Sequence, residues 1–483
     1  MAPAPRLPSV LDAPRPRASE SPSFPAGRGA PEHRADDAPL GVLGASIVTQ
    51  HQRVTELHQQ FMRQQVAFYD QFHALLAASP APAHRPAAPA AVERTLDLAI
   101  DTWLADHCPS WTLPVVPAMG IADLLAQAAA AYSGQEVFGV RDMQMRRWLT
   151  VPDRVRLRTV VEDRSTRPTV TLAVWHAART AELSRFVAVA SGQVLLGDPP
   201  RTRPTRFPPL ADALPTPNPY TTVEMFHGPS FQHLLSLQTG SAGASGILDI
   251  GLGKIPRGVL HPGLLDAAMH TIPGGNLWRW SPELPRGRFG FPHRLASLTR
   301  FEPLPDAGTL AVEVRFAGFD EGNREMPILD LQLCQDERVL LAFRMVLILI
   351  PNGRFGDVPP ARVRAFARDR QYVPECLLST CEEDVTLLHR RMVSACDFVP
   401  GTVAALYGLP PRWRDQDPLA LVAAKEHVAR RLGVHPGSVE VYDDLSTGWC
   451  TARPHQRYPL ALTCEGDTAR VRDANPDTTR RAE

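Results

Sequence analysis

The feature that most constrains the fold is a plan that occurs twice along the chain: a short, wholly apolar helix among several strands. The segment from Ala118 to Tyr132 is almost entirely apolar, and later segments such as RVRLRTVVED and TVTLAVWHA alternate with the period of two expected of strands. The second copy has a helix near HPGLLDAAMH and the strands TLAVEVRFAGF, MPILDLQLCQ and VLLAFRMVLILI. A helix that is apolar on all sides must lie inside a core. The sequence therefore predicts a tandem α+β architecture in which each antiparallel sheet wraps its own helix.

Composition indicates how much of the chain can belong to these two units. The chain has 483 residues, of which 48 are proline, so part of its length must be linker or disordered arm. Apolar residues between 47 and 77 recur at helical spacing, which predicts an isolated amphipathic helix for docking or dimerisation, or for packing on the downstream domain. The remaining predicted segments are a disordered N-terminal arm (1–42), a Pro/Ala linker (78–92), the first α+β unit (93–198), a second linker (199–217), the second unit (218–352), an irregular linker (353–415) and a C-terminal unit (416–483).

Charge and cysteine content exclude several classes of function. The 51 basic residues balance 51 acidic ones, which argues against nucleic acid as a partner. The seven cysteines form no Cys-x-x-Cys pair, and their odd number favours a reducing compartment. The N-terminus lacks an apolar signal region, and the longest apolar stretch, Val339 to Ile350, is short and contains Arg344. We therefore expect a soluble, cytoplasmic protein without a membrane partner.

Two segments contain residues suited to acid–base chemistry. His107 precedes a loop with three prolines that leads into the first apolar helix. In HPGLLDAAMH, Pro262 can open a helix, and Asp266 and His270 are four residues apart and so fall on one helix face. A carboxylate on an apolar helix must be paired or kept protonated. On sequence alone, Asp266 could also be a solvent-facing helix residue, and His107 a structural histidine.

The ordered set of these motifs resembles the dehydratase domains of polyketide and fatty acid synthases. His107 with Pro117, then HGPSF at 227 to 231, then Asp266 with His270 parallel a His-xxx-Gly-xxxx-Pro motif, a Tyr-Gly-Pro-x-Phe motif and an Asp-xxx-Gln/His motif. The sequence departs from the family pattern in three ways: Trp111 stands where the motif has Gly, the motif proline falls one residue late, and His227 replaces the Tyr. The resemblance covers about residues 93 to 352 and implies a double-hotdog fold.

The resemblance implies a reaction and a role for each residue. The reaction is removal of water from 3-hydroxyacyl thioesters on an acyl carrier protein, giving 2-enoyl thioesters. His107 would be the base for the proton at C2. Asp266, with a pKa raised by apolar surroundings, would donate a proton to the hydroxyl at C3. The N-terminus of the helix near Ala118 would hold the thioester oxygen. The supporting residues would be Pro117, His227, Gly228, Pro229, Phe231 and His270, the last with simple packing as its alternative.

No metal or other cofactor is expected beyond the phosphopantetheine that holds the substrate. The expected partners are the acyl carrier protein, which another chain would supply, other synthase subunits and a second copy of the chain in a homodimer. The biosynthesis served would be that of polyketides, secondary metabolites or fatty acids.

The C-terminal unit carries a second resemblance. VAAKEHVARRLGVHPGSVEV is similar to the Lys-Glu-Ala helix of phosphopantetheinyl transferases, in which the glutamate binds magnesium, and Lys425 and Glu426 would correspond. The upstream acidic motif and the Ser-His element of those enzymes are missing. A single glutamate cannot hold magnesium without further oxygen ligands. We therefore expect a vestigial transferase, the alternative being an amphipathic surface helix.

Two other functions remain compatible with the sequence. A product-template-like cyclase would use a similar His/Asp pair to guide ring closure of a polyketide, and a deep cavity lined by aromatic side chains would favour it. A catalytically degenerate dehydratase could serve as a dimerisation scaffold of a synthase, which Trp111, His227 and the eroded C-terminal motif would favour.

Overall fold

The computed structural model describes residues 90–163, 165–178, 180–222, 225–351, 358–379, 401–409, 418–444, 449–453, 458–465 and 468–473. All of these lie in one compact unit, Pro86–Glu483. The predicted arm at 1–42, the predicted helix at 47–77 and most of the linker at 78–92 lie outside the described residues. Within the described ranges, no helix combines the length and the apolar character needed to cross a membrane.

Twelve strands form one antiparallel sheet. In chain order they are β1 (Ala90–Asp97), β2 (Val137–Met145), β3 (Arg154–Val161), β4 (Thr169–His176), β5 (Arg185–Leu196), β6 (Leu214–Thr216), β7 (Leu234–Thr239), β8 (Gly243–Asp249), β9 (Arg288–Arg300), β10 (Thr309–Phe319), β11 (Pro327–Gln335) and β12 (Arg338–Pro351). Their order across the sheet is β1-β3-β4-β5-β2-β9-β12-β11-β10-β8-β7-β6. The first five strands come from the N-terminal half and the other seven from the C-terminal half.

The two halves join where β2 pairs with β9. Gly139 lies opposite Thr299 and Val140 opposite Leu298. A Cβ added at Gly139 would lie 2.2 Å from the carbonyl oxygen of Leu298, so only glycine allows this close approach. The sheet is therefore continuous across the boundary between the halves.

Each half encloses one apolar helix. Helix α1 (Ala118–Ser133) follows Pro117 and ends at Gly134, whose φ of 68° is the left-handed conformation that glycine adopts freely at a helix end. Helix α2 (Pro262–Met269) opens with proline at its first position. Both helices are largely buried, and they pack against each other. The fold is α+β, and its two sheet halves, each around a hydrophobic helix, form the predicted double hotdog.

A buried carboxylate ties the two halves together. Asp123 on α1 is 3% exposed, and its Oδ1 accepts hydrogen bonds from the backbone N–H groups of Val259 and Leu260, each at 2.7 Å. These two residues lie just before α2. Asp123 thus fixes the start of α2 to the side of α1.

The predicted linker at 199–217 contains structure that the sequence did not indicate. Its last residues form β6, which pairs with β7 at the sheet edge. Arg206 forms an ion pair with Glu313 at 2.8 Å, and the Phe207 N–H donates to the Gln332 side chain at 2.9 Å. The linker stays a prediction, and its three-residue strand is too short to show alternation in the sequence.

The predicted irregular linker at 353–415 also contains structure that the sequence did not indicate. It contains α3 (Pro360–Ala367) and α4 (Thr402–Tyr407), which pack with α5 (Pro418–Leu432) around a second hydrophobic core. Helices of eight and six residues show too few turns for a periodic signal. Strands β13 (Glu440–Asp444), β14 (Trp449–Arg453), β15 (Tyr458–Glu465) and β16 (Thr468–Asp473) follow as a separate antiparallel sheet. We call the part at residues 358–441 the C-terminal helical unit.

Candidate active site

His107 is held in place by a loop that closes on itself. It follows a short 3₁₀ helix, Thr102–Asp106, and is 6% exposed. The Val115 N–H donates to the His107 carbonyl at 2.9 Å, and Nδ1 of the His107 ring lies 2.7 Å from the Val115 carbonyl oxygen. A carbonyl can only accept, so the proton of the neutral ring resides on Nδ1. The other ring nitrogen, Nε2, then keeps its lone pair, as a general base requires.

The HGPSF segment brings His227 from the C-terminal half next to His107. The two residues form an isolated antiparallel bridge, and their ring centroids are 4.9 Å apart. Asp106 fixes the segment, because its carbonyl accepts from the Gly228 N–H at 2.7 Å and its carboxylate from the Ser230 N–H at 2.8 Å. A Cβ added at Gly228 would lie 2.2 Å from that carboxylate, which explains the glycine.

Two other residues of the HGPSF segment shape the surroundings of His107. Pro229 opens the 3₁₀ helix Pro229–Phe231. Phe231 is completely buried, with its ring centroid 5.2 Å from that of His107.

Asp266 lies on α2, and His270, the residue that caps the end of the helix, lies on the same face, as their spacing predicted. Asp266 Oδ2 lies 3.2 Å from His270 Nε2 and 3.4 Å from His227 Nε2. On its other side, His270 Nδ1 lies 2.6 Å from the Tyr220 hydroxyl, which also contacts the Phe231 carbonyl at 3.4 Å. Asp266 is 6% exposed and His270 is 3% exposed. A chain of polar groups therefore runs from Tyr220 through His270 to Asp266.

The three buried site groups have shifted pKa values. Burial lowers the pKa of His107, and the Asp266 charge offsets this only in part. Burial, helped by the charge of His270, lowers the pKa of His227 well below its usual value. Burial pushes the pKa of Asp266 upward, as expected from the sequence, but hydrogen bonds from His227 and His270 outweigh it and hold that pKa below its usual range. The expected raised pKa of Asp266 is thus wrong, because two imidazoles stabilise the carboxylate.

A cavity of about 830 Å³ opens onto these groups. His107, Pro117, Asp266 and His270 line it, together with Ala118 at the start of α1. Six aromatic side chains also line it: Trp111, Trp148, Phe226, Trp280, Phe289 and Phe291. The first hydrogen bond inside α1 runs from the Ile121 N–H to the Pro117 carbonyl, so the N–H groups before it have no partner within the helix.

A cluster of three side chains offers ligand atoms for a metal ion. One atom each of His107, His227 and Asp266 lies within 4.8 Å of the others. Around zinc, two nitrogen or oxygen ligands are at most about 4.2 Å apart, since each bond is about 2.1 Å. These atoms would have to approach one another to share one ion.

Trp111 adopts a backbone conformation that is rare for its type. Its φ is 62°, in the left-handed region, which costs a non-glycine residue roughly 1–2 kcal/mol. This is the position where the dehydratase motif has glycine. The Arg364 guanidinium lies 4.8 Å from the centre of the Trp111 ring. This contact joins the loop to α3.

The predicted transferase residues have structural contacts. Glu426 is completely buried, and its carboxylate accepts from the Leu378 N–H, the Ser379 N–H at 2.7 Å and the Tyr407 hydroxyl at 2.5 Å. Lys425 donates to the Val439 carbonyl, and burial lowers its pKa to about 8. The alternative of a surface helix is wrong, because α5 is buried along most of its length. The vestigial transferase stays a prediction.

Sequence reasoning missed two residues of the site. Tyr220 lies in a proline-rich segment without periodicity, and Asp106 looks like an ordinary acid beside the candidate histidine. The Asn-Pro-Tyr turn before the HGPSF motif was the only signal for Tyr220.

The fold and site together define a double-hotdog protein with a histidine and an aspartate facing one cavity. Residues 73–175, which include His107 and Pro117, match a family model described as "Polyketide synthase dehydratase domain". A comparison with curated proteins found no match.

Among solved structures, the dehydratase domain from the CurJ module of curacin polyketide synthase is 15% identical, with a TM-score of 0.44; the alignment covers 57% of this chain and 96% of that one. The dehydratase domain of PpsC from Mycobacterium tuberculosis is 19% identical, with a TM-score of 0.42, over 54% of this chain and 93% of that one.

Proposed function

We propose that the protein is a dehydratase of the polyketide synthase type, which removes water from 3-hydroxyacyl thioesters on an acyl carrier protein to give 2-enoyl thioesters. The observation that carries the proposal is the meeting of His107 and Asp266, one from each half of the sheet, at a single cavity. The proton at C2 and the hydroxyl at C3 sit on adjacent carbons. A base and an acid must therefore be close neighbours, as these two are.

His107 is the base in this scheme. The bond from Nδ1 to the Val115 carbonyl fixes the ring and leaves Nε2 to take the proton from C2. The lowered pKa of His107 keeps its ring neutral near neutral pH. The N–H groups at the start of α1 would stabilise the negative charge that develops on the thioester oxygen.

Asp266 donates the proton that converts the leaving hydroxide into water. Because the lowered pKa favours the carboxylate at rest, Asp266 must take up a proton from solvent before it donates. His270 positions the carboxyl group: it contacts Asp266 through Nε2 and Tyr220 through Nδ1. As the C3–O bond breaks, the proton on Asp266 passes to the hydroxyl, which leaves as water. The His107 ring then carries the proton from C2 until solvent removes it, and Asp266 takes up another proton from solvent.

The partners follow from this chemistry. A 3-hydroxyacyl chain reaches such a site as a thioester of phosphopantetheine, so we propose an acyl carrier protein within a synthase as the partner. The homodimer expected from the sequence remains part of this proposal.

The test is turnover of a 3-hydroxyacyl pantetheine thioester and of the same acyl group on a carrier protein, using the full chain. The full chain is needed because the C-terminal helical unit packs against the Trp111 loop. We expect formation of the 2-enoyl thioester, and a loss of about 10²- to 10⁴-fold in the His107→Ala variant. A folded wild-type protein that turns over neither substrate would rule out the dehydratase proposal and leave the scaffold and the cyclase.

The aromatic lining of the cavity favours a second candidate, the product-template-like cyclase. Flat aromatic walls suit a poly-β-ketone chain that folds into a ring, and the same His107 would take the proton that forms the nucleophilic carbon. Incubation with a poly-β-ketone thioester distinguishes the two candidates. A changed ring pattern without dehydration of 3-hydroxyacyl thioesters would support the cyclase.

A further inference from the structure

Trp111 stays in an unfavourable backbone conformation, so its side chain must make contacts that compensate. A glycine would adopt a φ of 62° without a steric penalty. The Trp111 ring instead lies under the Arg364 guanidinium and packs against the second hydrophobic core. Nε of Arg364 is buried without a hydrogen-bond partner among the described residues, so the aromatic face is a main contact of that group.

The same loop carries the base and a wall of the cavity. Residues 107 to 116 are closed by the bonds between His107 and Val115, and Trp111 lies between those two residues and lines the cavity. A Cβ added at Gly401 would lie 3.7 Å from the Leu113 side chain, so the loop also borders α4. The C-terminal helical unit therefore touches the loop at two points.

The C-terminal helical unit also reaches the cavity directly. Val358 and Val363 line it, together with Leu347 and Ile350 of β12. Val363 immediately precedes Arg364 on α3. One helix thus supports the Trp111 ring and adds an apolar side chain to the cavity that holds His107 and Asp266.

We infer that the C-terminal helical unit forms one wall of the acyl cavity, and that Val363 and Trp111 limit the length of the apolar acyl chain that the site accepts. This inference rests on the proposed function for its substrate class. It gives the C-terminal helical unit a role in substrate selection. The cavity of about 830 Å³ lies within the range of about 300–1,000 Å³ found for small-molecule sites, so one bulky side chain changes its capacity appreciably.

The experiment measures binding without requiring turnover. Linear alkyl thioethers of pantetheine, which cannot react, are titrated into the full chain by calorimetry in order of increasing length. We expect the Val363→Trp variant to bind the longest ligands at least ~10-fold more weakly, since one methylene in a pocket is worth about 10- to 200-fold, and the shortest ligands unchanged. The Val363→Ala variant should extend the preference to longer chains.

Two further variants test the support of this wall. Arg364→Ala removes the group over Trp111 and should weaken discrimination between chain lengths. Arg362→Ala is the matched control, because Arg362 lies on the same helix but pairs with Glu375 at the surface. It should keep the wild-type length profile.

The outcomes separate this inference from the proposed function. A length profile that is the same in wild type and in both Val363 variants would overturn the inference; if Val363→Trp does not fold, Val363→Ala and Arg364→Ala decide. A shifted profile in a protein that dehydrates no 3-hydroxyacyl thioester would support the wall and refute the dehydratase. Normal dehydration with an unshifted length profile would support the dehydratase and refute the wall.

Discussion

The two halves of the sheet follow one plan but place their polar groups differently. In the N-terminal half, His107 precedes its helix and is fixed by the main chain of its own loop. In the C-terminal half, Asp266 lies on the helix itself and His270 caps its end, and both are fixed by other side chains. A base needs one hydrogen bond that fixes its ring and a free lone pair, whereas the acid needs neighbouring side chains that orient its carboxyl group. The difference between the halves matches these two requirements.

The largest expected effects come from removing the acid or the base. We expect Asp266→Asn to reduce the dehydration rate by about 10²- to 10⁴-fold, similar to His107→Ala. Because the two groups act in one step, the double variant should be little slower than the slower single variant. Single-turnover rates of the three folded variants test this. Losses that multiply would mean that the two residues act independently.

The next effect concerns the contact that joins the halves. Asp123→Ala leaves the N–H groups of Val259 and Leu260 without their acceptor, so we expect a loss of about 1–3 kcal/mol in the free energy of unfolding. Asp198→Ala, at an exposed position, is the control and should change stability by less than about 0.5 kcal/mol. Urea unfolding measures both. Equal stability of the two variants would contradict the role assigned to Asp123.

A smaller effect is expected from Tyr220→Phe, which removes the hydroxyl beside His270. One hydrogen bond contributes about 1 kcal/mol, so the rate should fall roughly tenfold or less. The loss should appear in kcat, because the hydroxyl positions His270 beside Asp266. Thr221→Ala, which removes a neighbouring exposed hydroxyl, should leave kcat unchanged. An unchanged kcat in Tyr220→Phe would argue for a packing role alone.

The pH dependence tests the base without a mutation. His107 faces Asp266, His227 and His270, and its pKa is lowered. Its ring therefore stays unprotonated until the pH falls below that lowered pKa. We expect the acid limb of kcat/KM to have its midpoint below about 6.5, the ordinary value for histidine. A midpoint above that value would contradict burial as the dominant influence.

The stability of the folded chain should also decline as the pH falls. The unfolded chain binds protons at His107 and His227 below about pH 6.5, while the folded chain does not until lower pH. Asp266 has a lowered folded pKa, so the stability it contributes is present above its ordinary pKa and lost as pH falls further. The melting temperature should therefore decline steadily from about pH 6.5 downward, and thermal unfolding in a series of buffers measures it. A constant melting temperature over this range would contradict the buried, neutral histidines.

Much of the fold follows from local pattern. The predicted helix from Ala118 to Tyr132 ends within one residue of α1, because a buried helix must be apolar on every side. The contact of Asp266 with His270 follows from their four-residue spacing. These are features that neighbours in sequence determine.

The remainder depends on contacts between distant segments. Tyr220 reaches His270 only because β6 and β7 bring its loop to the end of α2, and no local pattern indicates that partner. The lowered pKa of Asp266 required His227 to be in place, which the chain order alone does not show. The short helices α3 and α4 are stabilised by the core they share with α5 rather than by their own sequences.

The pairing of β2 with β9 has a consequence for how the protein is made. Residues 139 and 299 must meet before the sheet is continuous, and contacts between such distant segments form slowly. While the chain emerges from the ribosome, β2 is an exposed edge that other chains can pair with until β9 arrives. We therefore expect the N-terminal half made alone to aggregate more readily than the full chain.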